Sequence, residues 1–245
     1  MFARSTTSEC VPNLVGTTRI LDLLATGKRA NPRAPLLIRG EPGVGKDSLA
    51  RLLHEASGRG RQPFIKVSCA GQPADRHDAE LFGHEKGTSP LASRRRLGSF
   101  EFANHGTLYL DDIGALPHAL VPKLLDVLRT GEVSRIGDER TIVVDVRLIA
   151  STAHDAATRD GDLWAGLCSL DAVELLIPPL RQRMDEIPVL ASFFVDQLNR
   201  RYGRHVQLCP DVIAAFQAQA WPGNVRELAD AVHRMVLDGA TAPVH

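Results

Sequence analysis

At 245 residues the chain can bury a substantial core, either as one large domain or as one domain with a small satellite. The 29 Lys and Arg residues balance the 29 Asp and Glu residues, so no net charge draws the protein toward nucleic acid or a membrane surface. No apolar run approaches the roughly 20 residues needed to cross a bilayer, and the four cysteines form no C-x-x-C pair. These features favour a cytoplasmic protein without a membrane partner, and they argue against a disulfide framework or a zinc site.

Short apolar runs alternate with helical patterns through most of the chain. The runs have the length and composition of buried strands and lie at 34–40, 63–69, 107–112, 143–151 and 172–178. Helical patterns such as 46–56 and 118–129 lie between them. Strands separated by helices predict an α/β fold, with a parallel sheet covered on both faces.

The strand patterns stop at the pair Pro178-Pro179, and only helical patterns follow, at 184–202, 210–220 and 224–237. This change predicts a boundary near residue 180. The expected organisation is an α/β domain over 13–179, a small helical domain over 180–239, and flexible termini at 1–12 and 240–245.

The turn after the first predicted strand carries a phosphate-loop pattern. It reads G-E-P-G-V-G-K-D and fits G-x-x-x-x-G-K, with an aspartate where Ser or Thr usually follows the lysine. In such a loop, backbone N–H groups face a phosphate and Lys46 reaches the terminal phosphates. A glycine-rich turn without function is the alternative, but the strand before the loop and the helix after it favour nucleotide binding. The candidate binding residues are Gly40, Glu41, Pro42, Gly43, Val44, Gly45, Lys46 and Asp47.

Two carboxylates at the end of the third predicted strand complete the expected site. The stretch L-Y-L-D-D-I-G is an apolar strand that ends in Asp111 and Asp112, the usual partner of a phosphate loop. In this arrangement Asp111 steadies Mg²⁺ and Asp112 polarises the attacking water. Because Asp47 cannot supply the usual hydroxyl ligand, the metal must be held differently or through water, so Asp111 is expected to act on it indirectly. ATP and Mg²⁺ are the expected cofactors.

Several longer motifs now identify a family. The runs E-L-F-G-H-E-K-G, G-S-F-E-F-A-N-H-G-T-L-Y-L-D-D-I-G and W-P-G-N-V-R-E-L resemble the AAA+ domain of bacterial sigma-54-dependent transcription activators, the enhancer-binding proteins, and the resemblance covers about 13–237. It implies a P-loop AAA+ domain followed by a helical lid, with ATP hydrolysis in ring-shaped oligomers, commonly hexamers. Such rings remodel the closed complex of sigma-54 RNA polymerase. Arg226 matches the family's sensor arginine and is a candidate cofactor-binding residue, and Asn224 beside it is expected to cap the last helix.

The contact loop departs from the family pattern. Where the family has G-A-F-T-G-A, which contacts sigma-54, this chain has G-T-S-P-L-A. Proline fixes φ and removes a donor, so the mobility of the loop should differ as well. The resemblance therefore implies an altered contact with sigma-54, carried by Gly87, Thr88, Ser89, Pro90, Leu91 and Ala92.

The expected catalytic residues also depart from the pattern. Asp112 stands where the family has a glutamate, Ser68 where it has the asparagine that restrains this glutamate, and Ala153 where it has a sensor asparagine. The segment 163–170 lacks both arginine fingers, and loss of a finger typically costs about 10³ to 10⁵ in hydrolysis rate. Residues that hold nucleotide are kept and residues that cleave it are replaced, so we expect a degenerate member of the family.

Three hypotheses about function remain open. The chain is an ATP-binding regulator with weak or absent ATPase activity, an active sigma-54 activator of the AAA+ ATPase type, or an interaction protein that joins or caps rings of an intact homologue. The expected partners are copies of itself or homologous AAA+ subunits; sigma-54 RNA polymerase is a further candidate partner, against which the altered contact loop argues. No helix-turn-helix pattern follows residue 237, so no DNA-binding domain is expected in this chain.

Overall fold

The computed structural model describes residues 17–71, 73–88, 94–153 and 161–238. The expected flexible termini 1–12 and 240–245, and the contact-loop residues Ser89 to Ala92, lie outside these ranges. The strands of the described part are β1 (Leu36–Arg39), β2 (Phe64–Ser68), β3 (Gly83–His84), β4 (Arg96–Leu97), β5 (Thr107–Asp111), β6 (Glu132–Ser134), β7 (Thr141–Val143), β8 (Arg147–Thr152) and β9 (Val173–Leu176). The helices are α1 (Thr18–Arg29), α2 (Lys46–Glu55), α3 (Ala74–Phe82), α4 (Ser99–Phe102), α5 (Val121–Thr130), α6 (Gly161–Cys168), α7 (Ile187–Tyr202), α8 (Pro210–Gln217) and α9 (Asn224–Asp238).

The central sheet has the strand order β2-β5-β8-β1-β9, and all of its strands run parallel. Successive side chains of β1 enter different hydrophobic clusters: Leu36 and Ile38 pack with α1 and α2, whereas Leu37 packs in the cluster of α3, α5 and α6. This alternation follows from the two-residue period of a strand, and it explains why Leu36, Leu37 and Ile38 are all apolar. The predicted α/β fold with helices on both faces is confirmed.

The C-terminal helices α7, α8 and α9 form a separate hydrophobic cluster. Its centre includes Trp221, which is buried and whose indole Nε1 donates a hydrogen bond of 2.6 Å to the carbonyl of Phe216. This burial of an apolar ring with a satisfied N–H is the packing role expected of a tryptophan. In the described part of the chain, no helix is both long and apolar enough to cross a membrane.

One predicted strand, 143–151, divides in the structure. Residues Thr141–Val143 pair antiparallel with β6, and the parallel strand begins only at Arg147. Asp145 lies at the break: its N–H donates to Asn104, its carbonyl accepts the N–H of His105, and its carboxylate accepts a hydrogen bond of 2.7 Å from Arg59. These contacts replace ladder hydrogen bonds, so an apolar pattern that runs across them does not form one continuous strand.

Two short hairpins, β3–β4 and β6–β7, are joined beside the start of the contact loop. The N–H of Glu85 donates to the carbonyl of Ile136 at 3.0 Å, and the N–H of Ile136 donates to the carbonyl of Gly83 at 3.0 Å. Thr88 donates its hydroxyl to the carbonyl of Glu85 at 3.0 Å. Thr88, at the described end of the contact loop, is therefore linked to the second hairpin through its hydroxyl and the backbone of Glu85.

Candidate nucleotide-binding site

The phosphate-loop pattern lies at the carboxyl edge of the sheet, between β1 and α2. Gly43 and Gly45 have φ values of 81° and 106°, which residues with a Cβ rarely adopt. At Gly43 a Cβ would also come within 2.2 Å of the carbonyl oxygen of Gly223, which immediately precedes α9. Glycine is required here for two reasons, the backbone conformation and the close approach of the helical lid.

A cleft of about 440 Å³ opens between this loop, the carboxyl ends of the strands and the lid. Its volume lies in the range usual for small-ligand sites, about 300 to 1,000 Å³. The predicted site residues that line it are Pro42, Gly43, Gly45, Lys46, Asp47, Asp111, Asp112 and Arg226, and Ala153 lines it as well. Gly40, Glu41, Val44 and Ser68, also predicted, are not among its lining residues in the described part of the chain.

The ammonium of Lys46 is held by its own loop. Nζ donates hydrogen bonds of 2.7 Å to the carbonyl of Gly40 and 3.1 Å to that of Glu41. Burial lowers the pKa of Lys46, and the nearby carboxylates of Asp111 and Asp112 oppose this without cancelling it. The side chain is thus a partly buried cation that faces acidic groups at the start of α2, where the helix dipole also favours an anion.

Asp47 and Asp111 converge on one lysine that the sequence did not single out, Lys66 of β2. Lys66 Nζ lies 2.9 Å from Asp111 Oδ2 and also donates to Asp47 Oδ2. Tyr109 donates its hydroxyl to Asp47 Oδ1 at 2.7 Å, and Ser151 donates to Asp111 Oδ1 at 2.8 Å. Each oxygen of the two carboxylates therefore accepts a hydrogen bond from the chain.

The pKa values of this cluster follow from competing effects. Burial alone raises the pKa of Asp111, but hydrogen bonds from Lys66 and Ser151 outweigh it and the net pKa is lowered. Burial alone lowers the pKa of Lys66, but its hydrogen bonds to Asp47 and Asp111 outweigh burial and the net pKa is raised. Asp111 and Lys66 are accordingly both charged near neutral pH.

A directly bound Mg²⁺ does not fit this set of residues as they stand. An ion that took oxygens from Asp47 and Asp111 would have to displace Lys66 from both of them. In the described ranges no group of three or more His, Cys, Asp or Glu side chains is placed to hold a metal. Most phosphate loops have a Ser or Thr after the conserved lysine, and its hydroxyl is a ligand of the metal. In this chain that position is Asp47, whose carboxylate already pairs with Lys66.

The predicted catalytic residues differ in whether they line the cleft: Asp112 does and Ser68 does not. Asp112 lines the cleft and has a left-handed backbone, with φ 58°, and its N–H donates to Ser151 Oγ at 3.2 Å. Ser68 is the register partner of Asp111 on the neighbouring strand, but its side chain is exposed. Ala153 lines the cleft just after β8 and offers no side-chain donor there.

Hydrogen bonds and an ion pair connect the lid to the phosphate loop. Arg181 forms a bidentate pair with Glu41, at 2.8 and 2.6 Å. The fully buried guanidinium of Arg183 donates to the carbonyl of Val44 at 2.9 Å, and the N–H of Arg226 donates to that of Gly43 at 3.2 Å. Glu41 and Val44, which lie outside the cleft lining, thus connect the loop to the lid.

The expected role of Asn224 as a helix cap is wrong. Its Oδ1 accepts the N–H of Leu180 at 2.8 Å, while its Nδ2 donates to Glu41 at 3.1 Å and to the carbonyl of Pro42 at 3.0 Å. Its backbone is left-handed, with φ 57°. Glu227, in the first turn of α9, accepts the N–H of Gly223, the residue before the helix, at 2.7 Å. A residue type that favours caps is used here to join the two parts of the chain.

An apolar wall of the cleft comes from the lid and was not predicted. Phe194 of α7 and Val225 and Ala229 of α9 line the side opposite the sheet. The helical period places each of them on a partly apolar face, but periodicity does not distinguish a face that packs in the core from one that borders a cleft.

The parallel sheet, the phosphate loop and the helical lid together define a P-loop AAA+ domain. A sequence model described as the Sigma-54 interaction domain matches residues 17–163, and one described as an AAA+ ATPase lid domain matches residues 181–242. The chain belongs to the sigma-54 interaction family of AAA+ domains, as its motifs predict.

Characterised relatives agree with this assignment. The Nif-specific regulatory protein of Sinorhizobium fredii is 43% identical over 218 residues, which cover 88% of this chain and 37% of the relative. The regulatory protein AtoC of Escherichia coli is 42% identical over 216 residues, which cover 86% of this chain and 47% of the relative. The chain thus spans less than half the length of these relatives.

Solved structures show the same architecture. Crystal structures of NtrX from Brucella abortus in complex with ADP and with ATP superpose with TM-scores of 0.81 and 0.79. They are 32% and 33% identical, and the matches cover 96% and 95% of this chain and 53% and 54% of the NtrX chains. Hsp104, at 15% identity and a TM-score of 0.68, supports the fold alone.

Proposed function

We propose that this chain binds ATP in the cleft between the phosphate loop and the lid. The observation that carries the proposal is the convergence of Gly43, Gly45, Lys46 and Arg226 on one cleft of about 440 Å³. The NtrX structures described as complexes with ADP and ATP have the same fold, which supports a nucleotide in the corresponding place.

The two ends of the cleft suit the two ends of a nucleotide. At the phosphate end, Lys46 exchanges its hydrogen bonds to the carbonyls of Gly40 and Glu41 for bonds to phosphate oxygens. At the other end, Phe194, Val225 and Ala229 supply an apolar surface for the base. Because the lid also holds the loop through Arg181 and Asn224, a bound nucleotide contacts both parts of the chain.

We further propose that ATP hydrolysis is weak or absent. Asp112 lines the cleft at the position where the family pattern has the water-activating glutamate, and its side chain is one methylene shorter than a glutamate. Ala153 cannot donate a hydrogen bond to the terminal phosphate, and Ser68 is exposed. Helix α6, which spans most of the segment 163–170, contains no arginine to offer to a neighbouring subunit. Each loss removes stabilisation of charge that develops in the transition state.

The proposed cellular role is that of a nucleotide-binding regulator of the sigma-54 activator type that assembles with copies of itself or with homologous AAA+ subunits. The family assignment supports such partners.

The contact-loop sequence G-T-S-P-L-A lacks the aromatic residue of the family pattern, and an aromatic tip buries area worth roughly 2 kcal/mol that serine cannot replace. We therefore expect sigma-54 to be trapped poorly with a transition-state ATP analogue, and trapped well after the loop is rewritten to G-A-F-T-G-A. Equal trapping by both loops would contradict the altered contact.

The nucleotide proposal is tested by titration of a fluorescent ATP analogue. Lys46→Ala should reduce the affinity by at least about 100-fold, because it removes the cation that faces the terminal phosphates. Lys28→Ala, which changes an exposed lysine in the last turn of α1, is the matched control and should bind like the unaltered chain. Unchanged affinity in Lys46→Ala would remove the phosphate-loop assignment.

A further inference from the structure

The feature that the family assignment leaves unexplained is the ammonium of Lys66. It lies between the carboxylates of Asp47, at the first turn of α2, and Asp111, at the end of β5. The same ammonium is 5.5 Å from the ring centroid of Tyr109, its register partner on β5, and the hydroxyl of Tyr109 in turn binds Asp47. Lys66 is therefore held by three side chains from two different elements.

This arrangement fixes the charge next to the proposed phosphate site. Asp47 and Asp111 both line the cleft and would together present two negative charges to an incoming polyphosphate. Like charges at close range disfavour binding, and a cation placed between them cancels part of that repulsion. In most phosphate loops the cation in this region is Mg²⁺, held in part by the Ser or Thr hydroxyl that this chain lacks.

We propose that Lys66 supplies, from within the chain, the positive charge that Mg²⁺ supplies elsewhere, so that this cleft binds ATP without a divalent metal. The inference rests on the proposed nucleotide binding and adds its metal requirement. Lys66 acts as a positioning residue: it neutralises Asp47 and Asp111 and holds them apart from the nucleotide phosphates.

The test compares the affinity for a fluorescent ATP analogue in EDTA and in millimolar Mg²⁺. The unaltered chain should show the same affinity in both conditions, within about threefold. Lys66→Met keeps the length of the stem but removes the charge, so its affinity in EDTA should fall at least about tenfold and recover when Mg²⁺ is added. Lys66→Arg keeps the charge and should restore binding in EDTA. Lys123→Met removes a lysine from a comparable pair with Asp78, neither of which is among the residues that line the cleft, and should leave the affinity unchanged in both conditions.

A second readout does not require nucleotide. Without ATP, Mn²⁺ titrated into the unaltered chain should remain free, as measured by its paramagnetic resonance signal, because Lys66 blocks both carboxylates. In Lys66→Met the two carboxylates are released, and part of the Mn²⁺ signal should be lost.

The outcomes separate the two proposals. If the unaltered chain binds the analogue only when Mg²⁺ is present, or if Lys66→Met binds equally well in EDTA, the role of Lys66 is refuted while nucleotide binding stands. If the unaltered chain binds in neither condition, nucleotide binding itself is wrong and the role of Lys66 falls with it. The comparison of the unaltered chain in the two buffers decides the question even if Lys66→Met does not fold.

Discussion

Replacement of Asn224 by alanine should destabilise the junction between the α/β domain and the lid. Asn224 is fully buried, and it accepts the N–H of Leu180 while donating to Glu41 and to the carbonyl of Pro42. Loss of its acceptor leaves the N–H of Leu180 buried without a partner, at a cost of about 1 to 3 kcal/mol. Alanine at a φ of 57° adds about 1 kcal/mol of backbone strain that asparagine largely avoids. The expected loss in the free energy of unfolding is therefore about 2 to 4 kcal/mol.

Urea unfolding followed by tryptophan fluorescence measures this loss, since Trp221 lies three residues before the altered position. Asn224→Gly removes the hydrogen bonds but not the tolerance for positive φ, so it should cost about 1 kcal/mol less than alanine. Asp171→Ala is the control for strain alone, because Asp171 is exposed and has a φ of 56°. A loss for Asn224→Ala no greater than that of Asp171→Ala would refute the reasoning, because it would mean that the hydrogen bonds across the junction contribute nothing.

Gly43 in the phosphate loop and the buried His54 of α2 can each be tested by substitution. Gly43→Ala should weaken binding of the ATP analogue at least about tenfold, because the new Cβ would lie 2.2 Å from the backbone of Gly223. Gly71→Ala is the control: Gly71 has a φ of 80° and open space around it, so binding should be unchanged. Equal effects in the two variants would contradict the close approach of the lid. The ring of His54 is buried, and its Nδ1 shares a hydrogen bond of 2.9 Å with the hydroxyl of Thr107. Burial lowers the pKa of His54, so the unfolded chain binds the proton more readily than the folded chain. Stability should then fall as the pH drops below about 6.5, by up to about 1.4 kcal/mol per pH unit; His54→Leu should flatten this slope in urea melts, and an unchanged slope would show that His54 does not carry it.

The sequence predicts the parts of this molecule that depend on local patterns. The apolar runs identify β1, β2, β5 and β9, and the phosphate-loop spacing identifies Lys46 in its correct context between a strand and a helix. The parallel arrangement then brings Lys46 and Asp111 to one edge of the sheet, because the carboxyl ends of parallel strands meet there.

The remaining parts depend on contacts between distant positions, which local patterns do not contain. Lys66 lies on a strand of mixed burial and reads as an exposed strand lysine, and only the pairing of β2 with β5 places it between Asp47 and Asp111. Asn224 has the residue type and position of a helix cap, yet its partners lie on the phosphate loop and near residue 180. Phe194 packs in the hydrophobic cluster of the lid and also borders the cleft, and helix periodicity indicates only the first of these roles.

We propose that this chain binds ATP but hydrolyses it inefficiently. The most direct test measures both on one preparation, with the fluorescent ATP analogue for affinity and a steady-state phosphate-release assay for turnover. We expect saturable binding that Lys46→Ala weakens at least about 100-fold, together with turnover well below the ordinary enzyme range of about 1 s⁻¹. Turnover at or above about 1 s⁻¹, or the absence of binding in the unaltered chain, would contradict it.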